Sequence, residues 1–113
     1  MKEAFIYHIA DKFDWEKSNK EYSHPSLDSE GFIHCSTGKQ LIPTYAKYYT
    51  SSSNLLLLEI DSFAVGSQLK WELAPSRGEE FPHIYSPIKK SWVLDSYPLT
   101  NDLLKKFAEK FGN

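Results

Sequence analysis

Gln68-Leu69-Lys70-Trp71-Glu72-Leu73-Ala74 is followed, across Pro75-Ser76-Arg77-Gly78, by Phe81-Pro82-His83-Ile84-Tyr85. In the first segment Leu69, Trp71 and Leu73 alternate with Lys70, Glu72 and Ala74, the period-two pattern of a strand. In the second, Phe81, His83 and Tyr85 share one side. The Pro-Ser-Arg-Gly connection is turn chemistry, as is Ser86-Pro87, and Ser91 to Tyr97 reads as a third strand behind it.

Upstream, Leu55 to Ile60 is an uninterrupted apolar run with Glu59 as its one polar residue, the pattern of a central strand covered on both faces. Ala4 to Ile9 reads as a first strand with Phe5, Tyr7 and Ile9 on one face and Ala4, Ile6 and His8 on the other. Asp11 caps a helix reaching about Lys20, with Asp14 in its first turn and Trp15 as its buried anchor. Tyr22 to Asp28, Ser-rich and containing His24-Pro25, reads as an extended loop feeding a second strand at Gly31. Thr37 and Gln40 have the spacing of a capping box, and Leu41, Tyr45 and Tyr48 or Tyr49 continue the helical stripe. Pro43 fits such a helix only near its first turn. Thr100 caps a last helix with Leu103, Leu104, Phe107 and Phe111 on its apolar face and Gly112 past its end. Strands this numerous and helices this few do not make a βαβ alternation. The expected fold is a single α+β domain over residues 1–113, with a mixed or split, mostly antiparallel sheet and two to three helices.

The chain has 113 residues, 41% of them hydrophobic, enough for one core. A net charge of -2 gives no bulk attraction to polyanions, and Arg77 is the sole arginine. A nucleic-acid surface is therefore not expected, although Arg77 suits a single phosphate or carboxylate. Cys35 is the only cysteine, which excludes an intramolecular disulfide and fits a reducing compartment. The longest apolar run is far too short to span a bilayer, so a cytoplasmic protein with no membrane partner is expected. The pattern specifies no oligomeric state.

The segment Gly31-Phe32-Ile33-His34-Cys35-Ser36 concentrates the chemistry. As a strand it turns Cys35 away with Ile33, making the thiol a core group, and leaves His34 and Ser36 on one face as donor and acceptor for a hydroxyl or ribose. Each has a structural alternative: a histidine satisfied by a backbone carbonyl, and a serine in the helix cap. Glu72 points with Lys70 and Ala74 toward solvent or a cleft. Phe81, His83 and Tyr85 form a stripe suited to a planar ligand or to a core edge. His8, His24, His34 and His83 lack the close pairing common among zinc ligands, and no metal is expected.

Taken in order, Ile6-Tyr7-His8-Ile9, Tyr22, Glu30-Gly31-Phe32-Ile33-His34-Cys35-Ser36, Gln40, Leu55 to Asp61, Lys70-Trp71-Glu72 and Phe81-Pro82-His83-Ile84-Tyr85 resemble the domain of unknown function 952 family from about Phe5 to Val93. That resemblance implies an ADP-ribosyltransferase-like fold binding NAD or an ADP-ribose-like nucleotide, with NAD as a substrate rather than a resident cofactor. It implies Glu72 and His34 as catalytic residues, Glu72 stabilising an oxocarbenium-like state through the ribose 2′-hydroxyl as the N-glycosidic bond breaks. His8 and Ser36 would help to frame the ribose, and Tyr85 or Phe81 would pack on nicotinamide; from the residues themselves, His83 of the aromatic stripe and Arg77 as a site for one phosphate or carboxylate complete the expected ligand set. Two alternatives stand beside it: a non-catalytic pocket for a small metabolite, and a metal-assisted hydrolase using His8, His34, His83 and Glu72.

Overall fold

A computed structural model describes residues 3–112. The two long strands near the centre of the sequence pattern pair as expected. β1 (Phe5–Asp11) runs antiparallel to β4 (Leu55–Asp61) with His8 opposite Leu58. β8 (Val93–Pro98) covers the other edge of β4, so the all-apolar run is the middle strand of three. Its two faces feed two cores. Leu56, Leu58 and Ile60 join Ile6, Ile33 and Ile84 on one side, while Leu57 joins Tyr7, Ile9, Leu41 and Phe107 on the other.

The opening segment forms a second antiparallel sheet, in which β5 (Leu69–Ala74) pairs with β6 (Glu79–Ile84) and β6 with β3 (Ile33–His34). Glu72 faces Phe81, Lys70 faces His83, and His34 faces His83. Residues directly opposite share a face, so Glu72, His83, Phe81 and His34 stand on one side of this sheet. The sheets meet at a single bridge between Tyr7 and Ser36, which exchange backbone hydrogen bonds of 2.7 and 2.8 Å. A third pairing joins β2 (Glu21–Tyr22) to β7 (Ile88–Lys89).

Five helices are present among the described residues, against two to three expected. α1 (Lys12–Lys17) is capped by Asp11 as expected but stops three residues early, with Trp15 half-buried against the core. α2 (Pro25–Glu30) occupies the stretch read as a loop. His24 caps it by accepting from the Ser26 amide, Pro25 opens it, and Gly31 closes it at φ 90°. Pro at the first position and Gly past the end are the ordinary punctuation of a short helix, and β3 begins only after that cap. α3 (Gly38–Tyr48) has the full capping box between Thr37 and Gln40. Pro43 lies beyond its first turn, on an exposed position. α4 (Ser62–Val65), capped by Asp61, is a further short helix absent from the sequence reading. α5 (Asn101–Phe111) begins at Thr100 and ends at Gly112 as expected.

Candidate functional site

Tyr7 and Ile9 of β1, the β3 segment, α3 and the β5–β6 hairpin enclose a cavity of about 590 Å³. Strand alternation sends Tyr7 and Ile9 to this side of β1 and His8 to the other, where it is fully buried beside Tyr22 and His24. On the second sheet, Phe32, His34, Phe81 and His83 line the cavity. Phe32 stacks on His83 at 4.0 Å and 16°, and the His34 ring meets His83 edge-on at 5.4 Å.

Each histidine is held by a carboxylate through a different ring nitrogen. His83 donates through Nδ1 to Glu72 at 2.9 Å, and Tyr85 donates its hydroxyl to the same Glu72 oxygen. Those two hydrogen bonds, the tyrosine's first, hold the Glu72 carboxyl below the usual carboxylate range. The ionised carboxylate fixes the proton of neutral His83 on Nδ1 and leaves Nε2 basic. Burial lowers the His83 pKa, with the Glu72 hydrogen bond pulling against it, so the ring is a neutral base at pH 7. His34, half exposed, places Nε2 3.1 Å from Glu30.

Arg77 supplies the positive charge. The turn after Ala74 folds back on the Ala74 carbonyl, which accepts from the amides of both Arg77 and Gly78; Gly78 adopts φ 71°, a conformation that favours glycine. The guanidinium then lies 4.6 Å from the Phe81 ring centre and donates to Thr44 at 3.2 Å. Thr44 also accepts from Ser36 at 3.3 Å. Gln40, Thr44 and Tyr48 recur every four residues and so share a helix face; Thr44 and Tyr48 line the cavity. Gln40 secures the helix to the hairpin by donating to the Glu79 carboxylate and the Glu80 carbonyl.

Of the residues singled out from sequence, His34, Ser36, Arg77 and His83 line this one cavity. Three stand elsewhere. His8 faces the opposite core, donates through Nδ1 to the His34 carbonyl at 2.7 Å, and leaves Nε2 buried without a hydrogen-bond partner among the described residues. Glu72 and Tyr85 lie outside the lining; Glu72 reaches it through His83, and the Tyr85 ring meets Phe32 in the wall at 5.5 Å. Phe81, the other aromatic considered for a planar ligand, is in the wall. Ser36 is no helix cap; Thr37 has that role. Cys35 is buried in the core with Ile33 as expected but also borders the cavity beside His34 and Ser36, and burial raises its thiol pKa strongly, so it carries little thiolate. Of the four residues of the metal-hydrolase alternative, His8 stands apart on the opposite face of β1, and no group of three side chains that could hold a metal ion occurs among the described residues. Nor, among these residues, is any helix long and apolar enough to cross a membrane.

Sequence reasoning passed over Phe32, Glu30, Thr44 and Tyr48 as site residues. Phe32 was within reach of the alternation that pairs His34 with Ser36. Thr44 and Tyr48 follow Gln40 at helical spacing, but nothing local aims that face at a hairpin that begins more than twenty residues later.

The structure is similar to that of protein CC0527 from Caulobacter crescentus. Its crystal structure matches with a TM-score of 0.78 at 31% identity, over 89% of this chain and 98% of the other. The solution NMR structure of CC0527 matches with a TM-score of 0.76 at 30% identity, over 96% and 97%. A double mutant of CC0527 in crystals gives the same figures as the first. No curated protein matches the sequence. The motifs from Tyr7-His8-Ile9 to Phe81-Pro82-His83-Ile84-Tyr85 are thus distributed over a fold shared with CC0527, and with residues 9–96 matched by the family described as protein of unknown function (DUF952), the chain belongs to that family.

Proposed function

We propose that the cavity binds a small phosphorylated molecule carrying a planar ring, of nucleotide size. The observation that carries this reading is the seat of Arg77: the only guanidinium of the chain lies over the Phe81 ring, spends one donor on Thr44 and faces a cavity walled by Phe32, Tyr48 and Tyr49. A guanidinium presents five N–H donors in a planar fork that matches phosphate, so four remain for a ligand. The volume of about 590 Å³ falls in the ordinary range of small-molecule sites. His34, Ser36 and Thr44 add the hydroxyl and imidazole groups that recognise a sugar.

The family resemblance, through the ADP-ribosyltransferase-like, NAD-binding fold that it implies, makes ADP-ribose and NAD the first ligands to test. A hydrogen bond from the ribose 2′-hydroxyl to Glu72, stabilising an oxocarbenium-like state, has less support, because that carboxylate is occupied by His83 and Tyr85 and does not line the cavity. Glu72 is better suited to orienting His83 than to touching ribose. Amide NMR titration with ADP-ribose, NAD and adenosine monophosphates is the test. Saturable shifts confined to Ser36, Thr44, Arg77 and His83, lost in Arg77→Ala, are the expected result. Shifts spread over the surface, or unchanged affinity in Arg77→Ala, would refute the reading.

A further inference from the structure

His34 and His83 stand opposite each other on adjacent strands, and their fixed nitrogens differ: Nε2 of His34 is turned to Glu30, Nδ1 of His83 to Glu72. Nδ1 of His34 and Nε2 of His83 are left without a hydrogen-bond partner among the described residues, on two rings 5.4 Å apart in one cavity wall. Two imidazoles at that spacing can serve the two ends of one displacement, one removing a proton while the other supplies one. The guanidinium in the same wall can neutralise the non-bridging oxygens of a phosphate.

Building on the phosphate-binding reading above, we propose that the cavity hydrolyses small nucleotide phosphodiesters, with His83 as general base, His34 as general acid and Arg77 as phosphate anchor. Nε2 of His83 takes a proton from water as the water oxygen attacks phosphorus. One P–O ester bond breaks, and its departing oxygen takes the proton from Nδ1–H of the His34 imidazolium. The net change is addition of water across that bond, giving a phosphate monoester and an alcohol. Solvent then accepts the proton from His83 and returns one to His34. Glu72 is a positioning residue: its hydrogen bond keeps the His83 proton on Nδ1.

The test uses the full chain and two probes: 2′,3′-cyclic AMP, whose leaving alkoxide needs a proton, and the p-nitrophenyl ester of thymidine 5′-phosphate, whose phenolate does not. The wild-type protein is expected to turn over both. On the cyclic probe, His34→Gln and His83→Gln should each lose about 100-fold or more in kcat, the usual scale for removing an acid or base. On the nitrophenyl probe, His83→Gln should remain equally impaired while His34→Gln recovers to near the wild-type rate. Equal losses for His34→Gln on both probes would overturn the assignment of the acid, since a structural role does not distinguish leaving groups. His83 is buried, so circular dichroism checks that its variant folds. Glu72→Gln gives a second reading and should lower kcat with KM unchanged; a full wild-type kcat there would overturn the base assignment. No turnover of either probe while adenosine 3′-monophosphate still binds at Arg77 overturns this inference alone. No binding and no turnover removes the phosphate reading with it.

Discussion

Burial holds the His8 imidazole neutral, its pKa lowered to about 3, while the hydrogen bond to the His34 carbonyl pulls the other way and His24 and His34 add to the lowering. In the unfolded chain the same ring titrates near the usual histidine value of about 6.5. Between those values the unfolded state binds the extra proton, so stability rises with pH across the window and falls on acidification. One pKa unit corresponds to about 1.4 kcal/mol, so this ring removes about 2 kcal/mol of stability between pH 7 and pH 5. His24 and His83, also lowered by burial, act in the same direction. His8→Gln removes the largest contribution, and its urea midpoint should change much less between pH 7 and pH 5 than that of the wild type. Parallel pH dependences in the two proteins would show that the ring titrates freely. At the cavity, Glu72 opposes the lowering of the His83 pKa both through its hydrogen bond and through its charge, and Glu30 adds a smaller push, against burial and His34. Glu72→Gln should therefore shift the His83 ring titration, followed by NMR, further toward acid.

At the scale of elements, the α3 capping box joins two tasks that separate substitutions can tell apart. Thr37 accepts from the Gln40 amide, and the Gln40 side chain accepts from the Thr37 amide while donating to Glu79 and Glu80. Thr37→Ala removes a cap, costing about 1 kcal/mol, and leaves the hairpin tied. Gln40→Ala also strips the buried amide from the β6 backbone, costing about 2 kcal/mol in all, and frees the hairpin that carries Arg77. Both should lower the urea midpoint, and only Gln40→Ala should weaken ADP-ribose binding; equal affinities would show that the clamp does not set the position of Arg77. The box itself was legible in the sequence because its partners are three residues apart. So were β4, from its unbroken apolar run, and the shared face of Phe81 and His83, from simple alternation. α2 was missed because His24-Pro25 reads equally as loop entry and as a cap with Pro at the first helical position, and six residues carry too little periodicity to decide. The join of Thr44 to Arg77 left no local signal at all, because it depends on how two distant elements dock.

Across the whole molecule, the radius of gyration of 13.2 Å matches that of a chain of this length packed as one body, about 13 Å, yet the interior is divided by the β1–β4–β8 sheet into two cores with unequal claims on the site. Tyr7 belongs to the core beneath α3 and α5, where its ring meets Phe107 edge-on at 5.1 Å. Its backbone forms the bridge to Ser36, and its side chain is part of the cavity wall. Ile60 belongs to the opposite core, with Val65 and Trp92, and is not itself one of the residues that line the cavity. Phe107→Ala should cost about 3–5 kcal/mol and Ile60→Ala about 2–5 kcal/mol, losses that leave folded protein if the domain has the usual reserve of about 5–15 kcal/mol. Their effects on binding should diverge. With Phe107 gone, Tyr7 loses its backing, the seam between the sheets loosens and ADP-ribose affinity falls several-fold, whereas Ile60→Ala should bind as the wild type does at temperatures where both are folded. Urea denaturation paired with NMR titration gives both quantities on the same samples. Equal losses of affinity would mean that the cavity responds to overall stability, and that the Tyr7–Ser36 seam has no special hold on it.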